Sequence, residues 1–474
     1  MALLKPMLLG GEWRSSDNYK TLIAPYSGGQ LAHVFYATEK EINEAIAVAS
    51  NAAEEMRVLP RYEIAESLHR IASFIKEKRE LFAQTIAKEA AKPITLARIE
   101  TDRAVSTFTI AAEEARRFGG ESIPIDTQPI GKNRIGWTER IPRGVIFGIT
   151  PFNFPLNLVA HKVAPALAAK NSIIIKPSPR TPLTALLLGE AFLSSGLPKG
   201  ALQVVPMDVE LLDIVLKDER IAMISFTGSA AVGWSLKSRA GRKAIALELG
   251  GNAPVIVDES ADVDYSIEKS VPAAFGYAGQ VCISAQRFFI HTKIFDEWSD
   301  KFVSRAKALK VGDPLDEATQ LSVMIDEEAA KRAESWIDEG VNAGAKLLCG
   351  GKREGSFLEA TVLTNVHNEM RICAEEVFAP VATLQPFDDF IAAITEANNT
   401  KYGLQAGVFT KDLNRTIYAS QNLEFGGVII NDTPNFRVDN MPYGGVKDSG
   451  FGREGVPIAM EEMSEQRLVV LAQT

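Results

Sequence analysis

The sequence predicts an α/β protein: a doubly wound parallel sheet, a second mixed α/β unit, and a β-ribbon standing apart from both. Three observations carry that prediction. Between Gly144 and Leu249 short apolar runs alternate strictly with helix-patterned segments. A further mixture of apolar runs and helical patterns fills about 255 to 440. Two extended stretches, 121–142 and Glu461–Thr474, belong to neither alternation.

The bulk numbers agree with a large globular chain. At 474 residues it exceeds what one hydrophobic core organises, so two or three domains are expected. Hydrophobic content of 46% and charged content of 23% are ordinary. A net charge of −9 without any basic block argues against a nucleic-acid partner. Three cysteines (Cys282, Cys349, Cys373) make no disulfide framework and point to a reducing, cytoplasmic compartment. Histidines are few and scattered, with no close Cys/His pairing, so no metal site is expected. The apolar opening Met1–Gly10 is broken by Lys5-Pro6, and no uncharged run nears the ~20 residues of a membrane span, so neither a secretory leader nor a span is predicted.

In chain order, residues 1–36 read as short strands and turns. From Glu39 to about Phe118 the apolar residues recur at helical spacing, as in Ile42, Ala45, Ile46, Ala49 and Leu68, Ile71, Phe74, Ile75. Thr38 before Glu39-Lys-Glu41 suits a capping box, and Pro60 and Pro93 punctuate the run. Residues 121–142 predict a protruding hairpin. The alternation that follows places strands at 144–150, 172–176, 202–206, 221–227 and 245–249, the last closing the series, with helices between. Ligands of such sheets bind beyond the strands' carboxyl ends, which singles out the loops at 150–155, 176–182, 227–233 and 248–252.

Those loops carry the candidate residues. Thr150-Pro-Phe-Asn-Phe-Pro155 holds the Asn153 carboxamide between two prolines, a rigid donor for a developing oxyanion. Lys176 ends a strand before the stiff Pro177-Ser-Pro-Arg-Thr-Pro182, where an amine can reach ribose hydroxyls or phosphate. Gly228 and Gly233 bracket a strand-to-helix turn whose N–H groups suit an anion, although neither a G-x-G-x-x-G nor a Walker pattern is present. Glu248 lies in an apolar strand beside Gly250-Gly251, where burial raises a carboxylate pKa toward that of a general base. Finally, Val271–Gln286 runs sixteen residues without a charge and presents Cys282 after Gly276 and Gly279. Taken alone, such a cysteine reads as a small buried hydrophobe; as a thiolate it is a nucleophile.

Taken jointly, these segments, with Glu375–Pro380 and Pro442-Tyr-Gly-Gly-Val-Lys-Asp-Ser-Gly-Phe-Gly-Arg-Glu454, resemble the NAD(P)-dependent aldehyde dehydrogenase superfamily over essentially the whole chain. The resemblance implies a coenzyme domain (1–120 and 142–250), a catalytic domain (251–440) and an oligomerisation ribbon (121–141 and 455–474), assembling as a homodimer or homotetramer. It implies that Cys282 attacks the aldehyde, that Asn153 and the Cys282 N–H hold the oxyanion, and that Glu248 activates water against the resulting thioester. The implied cofactor residues are Lys176 at the adenosine ribose, Ser229 at the pyrophosphate, and Glu376 with Phe378 at the nicotinamide ribose. Thr150, Pro151, Ser178, Pro179, Arg180, Gly228, Gly233 and Leu249 complete the set.

One departure bears on the cofactor. Relatives that prefer NAD commonly have Glu where this chain has Pro179, so a 2′-phosphate meets less repulsion and Arg180 or Ser178 is at hand. Dual or NADP-leaning use is therefore expected. Glu248 favours hydrolysis over transfer to CoA, and Val281 weakens a non-phosphorylating glyceraldehyde-3-phosphate dehydrogenase reading. The loop Asn431–Met441 resembles that of prokaryotic lactaldehyde-type enzymes acting on small hydroxylated or acidic aldehydes. Arg437 and Arg103, with Phe152 and Val281, are the expected substrate contacts, since guanidinium recognises anions by paired donors; the competing expectation for Arg437 is an ion pair with Asp439 or Asp432. Two other classes compete: a cysteine hydrolase using His161 or His291 as base, and a non-catalytic scaffold.

Overall fold

The computed structural model of the chain describes residues 3–473. Met1, Ala2 and Thr474, which fall in the predicted opening run and ribbon, lie outside the described residues. The first sheet has eight strands, in the order Gly450–Phe451, Ala244–Glu248, Ile221–Thr227, Val145–Ile149, Ser172–Lys176, Leu202–Val204, Met7–Leu9, Glu12–Arg14. Its five central strands are parallel. This is as expected, and the edges add antiparallel strands that the alternation did not contain: Ala244–Glu248 pairs with Gly450–Phe451, and Met7–Leu9 joins Leu202–Val204. Both additions cover strand edges whose N–H and C=O groups would otherwise be open.

Alternation along the central strands explains why helices stand on both faces. Ile173 and Ile175 pack with Val159, Val163 and Leu167 on one side. Ile174 and Phe147 turn the other way, against Ile42, Ile46 and Ala49. Successive side chains of a strand point to opposite faces, so an all-apolar strand needs two helical layers. The layers come from Glu39–Val58, begun at Thr38 with its N–H donating to Glu41 Oε2 at 2.9 Å, and from Asn157–Ala168 and its neighbours. From Val145–Ile149 the chain steps outward to Ser172–Lys176 and Leu202–Val204, then returns to Ile221–Thr227 on the other flank. The carboxyl ends of Val145–Ile149 and Ile221–Thr227 therefore frame a topological switch point.

The second sheet runs Lys346–Cys349, Thr361–Thr364, Val381–Phe387, Ala285–His291, Ala253–Val257, Gln405–Phe409, Gly427–Ile430, and only Lys346–Cys349 is antiparallel. Cys282 sits just ahead of the central strand Ala285–His291, after the helix Val263–Phe275 and a short turn. In that turn Gly279 has φ +66°, and a Cβ there would come within 2.0 Å of the Ala379 carbonyl oxygen. Only glycine fits.

In the ribbon, Ser464–Ala472 pairs antiparallel with Arg134–Pro142 of the same chain, and Ser122–Ile123 lies on the far side. The predicted 455–474 ribbon needs one correction. Residues Val456–Glu462 form a helix whose Val456 and Met460 are fully buried in the core of the first unit. Val456, Ala459 and Met460 share one buried face, although seven residues are too few to display that period in the sequence. Among the described residues no helix is long and apolar enough to cross a membrane.

Candidate active site

The loop after Val145–Ile149 carries Asn153 and is pinned from below. Buried Glu100 accepts from the N–H groups of Leu156 at 2.9 Å and Asn157 at 3.1 Å, and is itself ion-paired with buried Lys92. Held this way, Asn153 donates through Nδ2 to the Gln280 carbonyl oxygen at 2.9 Å, on the approach to Cys282. Its Oδ1 is buried without a protein partner.

Cys282 Sγ lies 2.9 Å from the Tyr443 hydroxyl. Burial pushes the thiol up to about 12, against the opposing pull of the Tyr443 hydrogen bond and the Arg437 charge. Tyr443 and Arg437 are thus the groups that favour the thiolate. Glu248 ends the strand Ala244–Glu248 and is 4% exposed, with Oε2 unpartnered. Burial, reinforced by the negative charge of Glu454, raises its pKa well above the carboxylate range, against Arg437 and Lys162. Glu454 goes the other way: although burial opposes it, Lys162 at 3.3 Å and Arg437 at 2.9 Å hold it down at about 2. Two neighbouring carboxyls thus have their pKa values driven apart, as an acid–base site requires.

Asn153, Glu248 and Cys282 meet in one cleft of about 320 Å³ at the switch point, facing the second sheet. Pro151, Phe152, Gly228, Ser229, Leu249, Glu376 and Phe378 also line it, together with Arg332. Phe152 and Phe378 stand edge to face, 5.8 Å apart, the latter at φ +52°. Thr150, Lys176, Ser178, Pro179, Arg180, Gly233, Val281, Arg103 and Arg437 are not part of its wall. Wider hollows of about 580 and 680 Å³ elsewhere contain no cysteine.

The donor set around the cleft fits a nicotinamide dinucleotide. Ser229 caps the helix Ala230–Arg239 without spending its side chain on the cap, and the first turn has no acidic residue to repel a pyrophosphate. A Cβ on Gly233 would strike Leu249 at 2.4 Å, so the glycine permits the helix to approach the strand end. Lys176 is buried at its strand end, and that burial lowers its pKa. Glu376 Oε1 accepts from the Gly251 N–H at 3.1 Å; burial raises it to about 7, against that hydrogen bond and Arg332. Ser178 Oγ accepts from the Arg180 N–H at 3.2 Å, while the Arg180 side chain is half exposed and ion-paired with Asp326 at 2.7 Å.

Several expectations change. Arg437 does not pair with Asp439 or Asp432: its partner is Glu454, and its guanidinium lies 3.6 Å over the Tyr443 ring. Asp439 is taken by Arg103 at 2.7 Å and by His161 at 3.0 Å, and Asp432 by Lys269 at 3.5 Å. Neither histidine reaches Cys282. His161 is buried against Asp439, and His291 accepts from the Lys293 N–H at the start of the helix Thr292–Lys307, so the hydrolase alternative has no base. Sequence reasoning passed over Lys162, Arg332, Tyr443 and Glu454. Lys162 had a visible signal: with His161 it is a charge inside the otherwise apolar helix Asn157–Ala168, where only a buried partner makes it tolerable.

The chain matches the aldehyde dehydrogenase family over residues 13–469. It is 41% identical over 466 residues to the 3-sulfolactaldehyde dehydrogenase of Priestia megaterium, covering 98% of this chain and 97% of that one. Aldehyde dehydrogenase 21 from Physcomitrella patens, solved in complex with the reaction product succinate, superposes with a TM-score of 0.98 at 44% identity, covering 100% of this chain and 99% of the other. The glyceraldehyde-3-phosphate dehydrogenase GapN of Methanocaldococcus jannaschii, complexed with NADP, follows at 0.93 and 40%, covering 97% and 100%. A cleft uniting a thiol, a carboxamide and a buried carboxylate at the switch point of a doubly wound sheet defines an oxidoreductase of the dinucleotide-dependent class. The chain belongs to the aldehyde dehydrogenase family, and it is an NAD(P)-dependent aldehyde dehydrogenase.

Proposed function

We propose that the chain oxidises a short aldehyde bearing an anionic group at its far end, of the semialdehyde or sulfolactaldehyde type, and that it uses NADP as well as NAD. In this reading the Cys282 thiolate adds to the carbonyl carbon. Asn153 Nδ2, which keeps one hydrogen free of Gln280, and the Cys282 N–H donate to the oxyanion. A bound nicotinamide supplies the hydride acceptor. Glu248 then takes a proton from water, the water attacks the thioester carbon, and the thiolate leaves with the acid released.

The anionic preference rests on one observation. Nε of Arg437 and Nε of Arg103 are buried guanidinium donors without a protein partner, and Arg437 stacks on the tyrosine that touches Sγ. Buried N–H groups are satisfied in the great majority of native sites, so unpartnered ones, although behind the cleft wall, suit an acceptor on a substrate long enough to reach them. Sulfolactaldehyde and succinate, named with two relatives, each present a sulfonate or carboxylate remote from the reacting carbon. The test is a panel of succinic semialdehyde, 3-sulfolactaldehyde, lactaldehyde, glyceraldehyde 3-phosphate and benzaldehyde, each with NAD and NADP. In Arg103→Gln, KM for the anionic aldehydes is expected to rise about 10- to 100-fold, the worth of a charge-assisted hydrogen bond, while KM for lactaldehyde stays. An equal change for every aldehyde removes the anionic reading. A phosphorylated aldehyde, as in GapN, fits less well, and fastest turnover of glyceraldehyde 3-phosphate would select it instead. No turnover with saturating NADP would end the cofactor reading, which is supported by Pro179 standing where NAD-preferring relatives commonly have Glu.

The reading extends to assembly and place. The outer edge of Ser464–Ala472 is open, and its Leu468, Val470 and Leu471 are exposed beside Ile135. That edge supports pairing with another copy in a homodimer or homotetramer. Replacing Leu468 and Val470 by lysine is expected to reduce the mass seen by light scattering to that of a smaller assembly, and an unchanged mass refutes this role of the ribbon. The free thiols of Cys282, Cys349 and Cys373 support a cytoplasmic location.

A further inference from the structure

The geometry points to Tyr443 as a further catalytic residue: its hydroxyl, clamped against the nucleophile, donates to the Cys282 thiolate and keeps the anion in position to attack. The inference rests on Cys282 being the nucleophile. Four features of the structure support it. The hydroxyl lies 2.9 Å from Sγ, and Sγ is its one hydrogen-bond partner among the described residues. The backbone of Tyr443 is held on both sides, its N–H donating to the Glu454 carbonyl at 3.0 Å and its carbonyl accepting from the Glu454 N–H. The ring is 3% exposed and is covered by the Arg437 guanidinium at 3.6 Å, which Glu454 fixes in turn. Finally, Gly444 at φ +151° carries the chain directly past Glu248, where a Cβ would come within 2.8 Å of Oε1. The phenol is therefore built into the gap between thiol, base and guanidinium and has no freedom to wander.

The chemistry follows from what a buried thiolate lacks. Cys282 is partly buried at the cleft wall, and the charges facing its sulfur are mixed: Arg437 favours the anion, while Glu376 and Glu248 oppose it. Asn153 has its Nδ2 on the Gln280 carbonyl and makes no hydrogen bond to the sulfur. That leaves the phenolic O–H as the side-chain donor in reach of the sulfur among the described residues. A cation against the ring face draws electron density from the oxygen and makes the O–H a stronger donor. The thiol proton leaves to solvent when Sγ ionises, Tyr443 keeps its own, and its hydrogen bond gives way as the new C–S bond forms. Tyr443 itself stays a neutral phenol, since burial and the nearby Cys282 and Glu248 raise its pKa well above the usual range.

The test reads the sulfur directly. Carbamidomethylation of Cys282 by iodoacetamide is followed by peptide mass in the full-length protein without aldehyde or cofactor, across about pH 7 to 10. In Tyr443→Phe, which keeps the ring and its contact with Arg437, the labelling rate at a given pH is expected to fall about tenfold, with the whole rate–pH line displaced toward higher pH. A superimposable line, or faster labelling, overturns the proposal. If the phenylalanine variant does not fold, Tyr443→Met takes its place: loss of the hydroxyl is again expected to move the line toward higher pH, and no movement overturns the proposal. Labelled protein that still oxidises aldehyde at the full rate would instead refute Cys282 as nucleophile, an outcome separate from the displacement of the line.

Discussion

Glu248→Gln is expected to release one equivalent of reduced nicotinamide per active site and then stall. Formation of the thioester needs the thiolate, the oxyanion donors and the hydride acceptor, and the glutamine leaves all of these in place. Release of the acid needs a base for water, and glutamine cannot accept that proton. Removing a positioned general base typically costs about 10²- to 10⁴-fold, so the steady-state rate should drop by that factor while the burst survives. The wild-type pH profile provides the companion measurement. Burial and the charge of Glu454 raise the Glu248 pKa, so its protonated fraction grows as pH falls and hydrolysis declines on the acid side. As pH rises through that raised value, the base is restored and the rate climbs to a plateau. Stopped-flow absorbance of the reduced cofactor reads both phases. Undiminished steady turnover in the glutamine variant would remove Glu248 from the role of base, and acceleration of the wild type by CoA would move the enzyme toward the acylating class.

Asn153→Ala should act earlier, with a loss of about 10²- to 10³-fold in kcat, the typical worth of one oxyanion donor. The substitution deletes Nδ2 and so also releases the Gln280 carbonyl, leaving a small polar gap at the mouth of the Cys282 turn. The expected signature separates the two effects. The burst itself slows, because addition to the carbonyl is impaired, while labelling of Cys282 by iodoacetamide, a displacement that develops no oxyanion, changes little. A variant that loses only KM would show that Asn153 holds substrate instead of charge. With Tyr443→Phe the pattern inverts: labelling slows, and the oxyanion donors stay.

Much of this site was legible in one dimension because its parts occupy special backbone. Asn153 lies between prolines, Glu248 precedes a glycine pair, and Cys282 follows a glycine whose left-handed φ leaves no room for a side chain. Such residues are conspicuous because local conformation demands unusual composition. The antiparallel edges of the first sheet were not legible, since Met7–Leu9 and Gly450–Phe451 are too short to carry a period. The helix Val456–Glu462 was absorbed into the neighbouring strand for the same reason.

Arg437 shows where such reading ends. Its type announced anion recognition, and Asp432 and Asp439 were its near neighbours along the chain, yet Glu454 took the guanidinium while Asp439 went to Arg103, 336 residues away in sequence. Hydrogen-bond and ion-pair partners are chosen by distance after the layers have packed, and a buried charge accepts whichever counter-charge packing brings near. Tyr443, 161 residues from Cys282, belongs to that second kind of information. The order of strands and helices, the glycine and proline turns, and the identities of thiol, carboxamide and carboxylate were determined by the amino-acid sequence itself, because each is a property of short-range conformation or of side-chain chemistry. Which carboxyl keeps its charge, which is pushed toward a base, and which hydroxyl reaches the sulfur were decided only in the folded chain, because burial and proximity are set by segments that meet nowhere else.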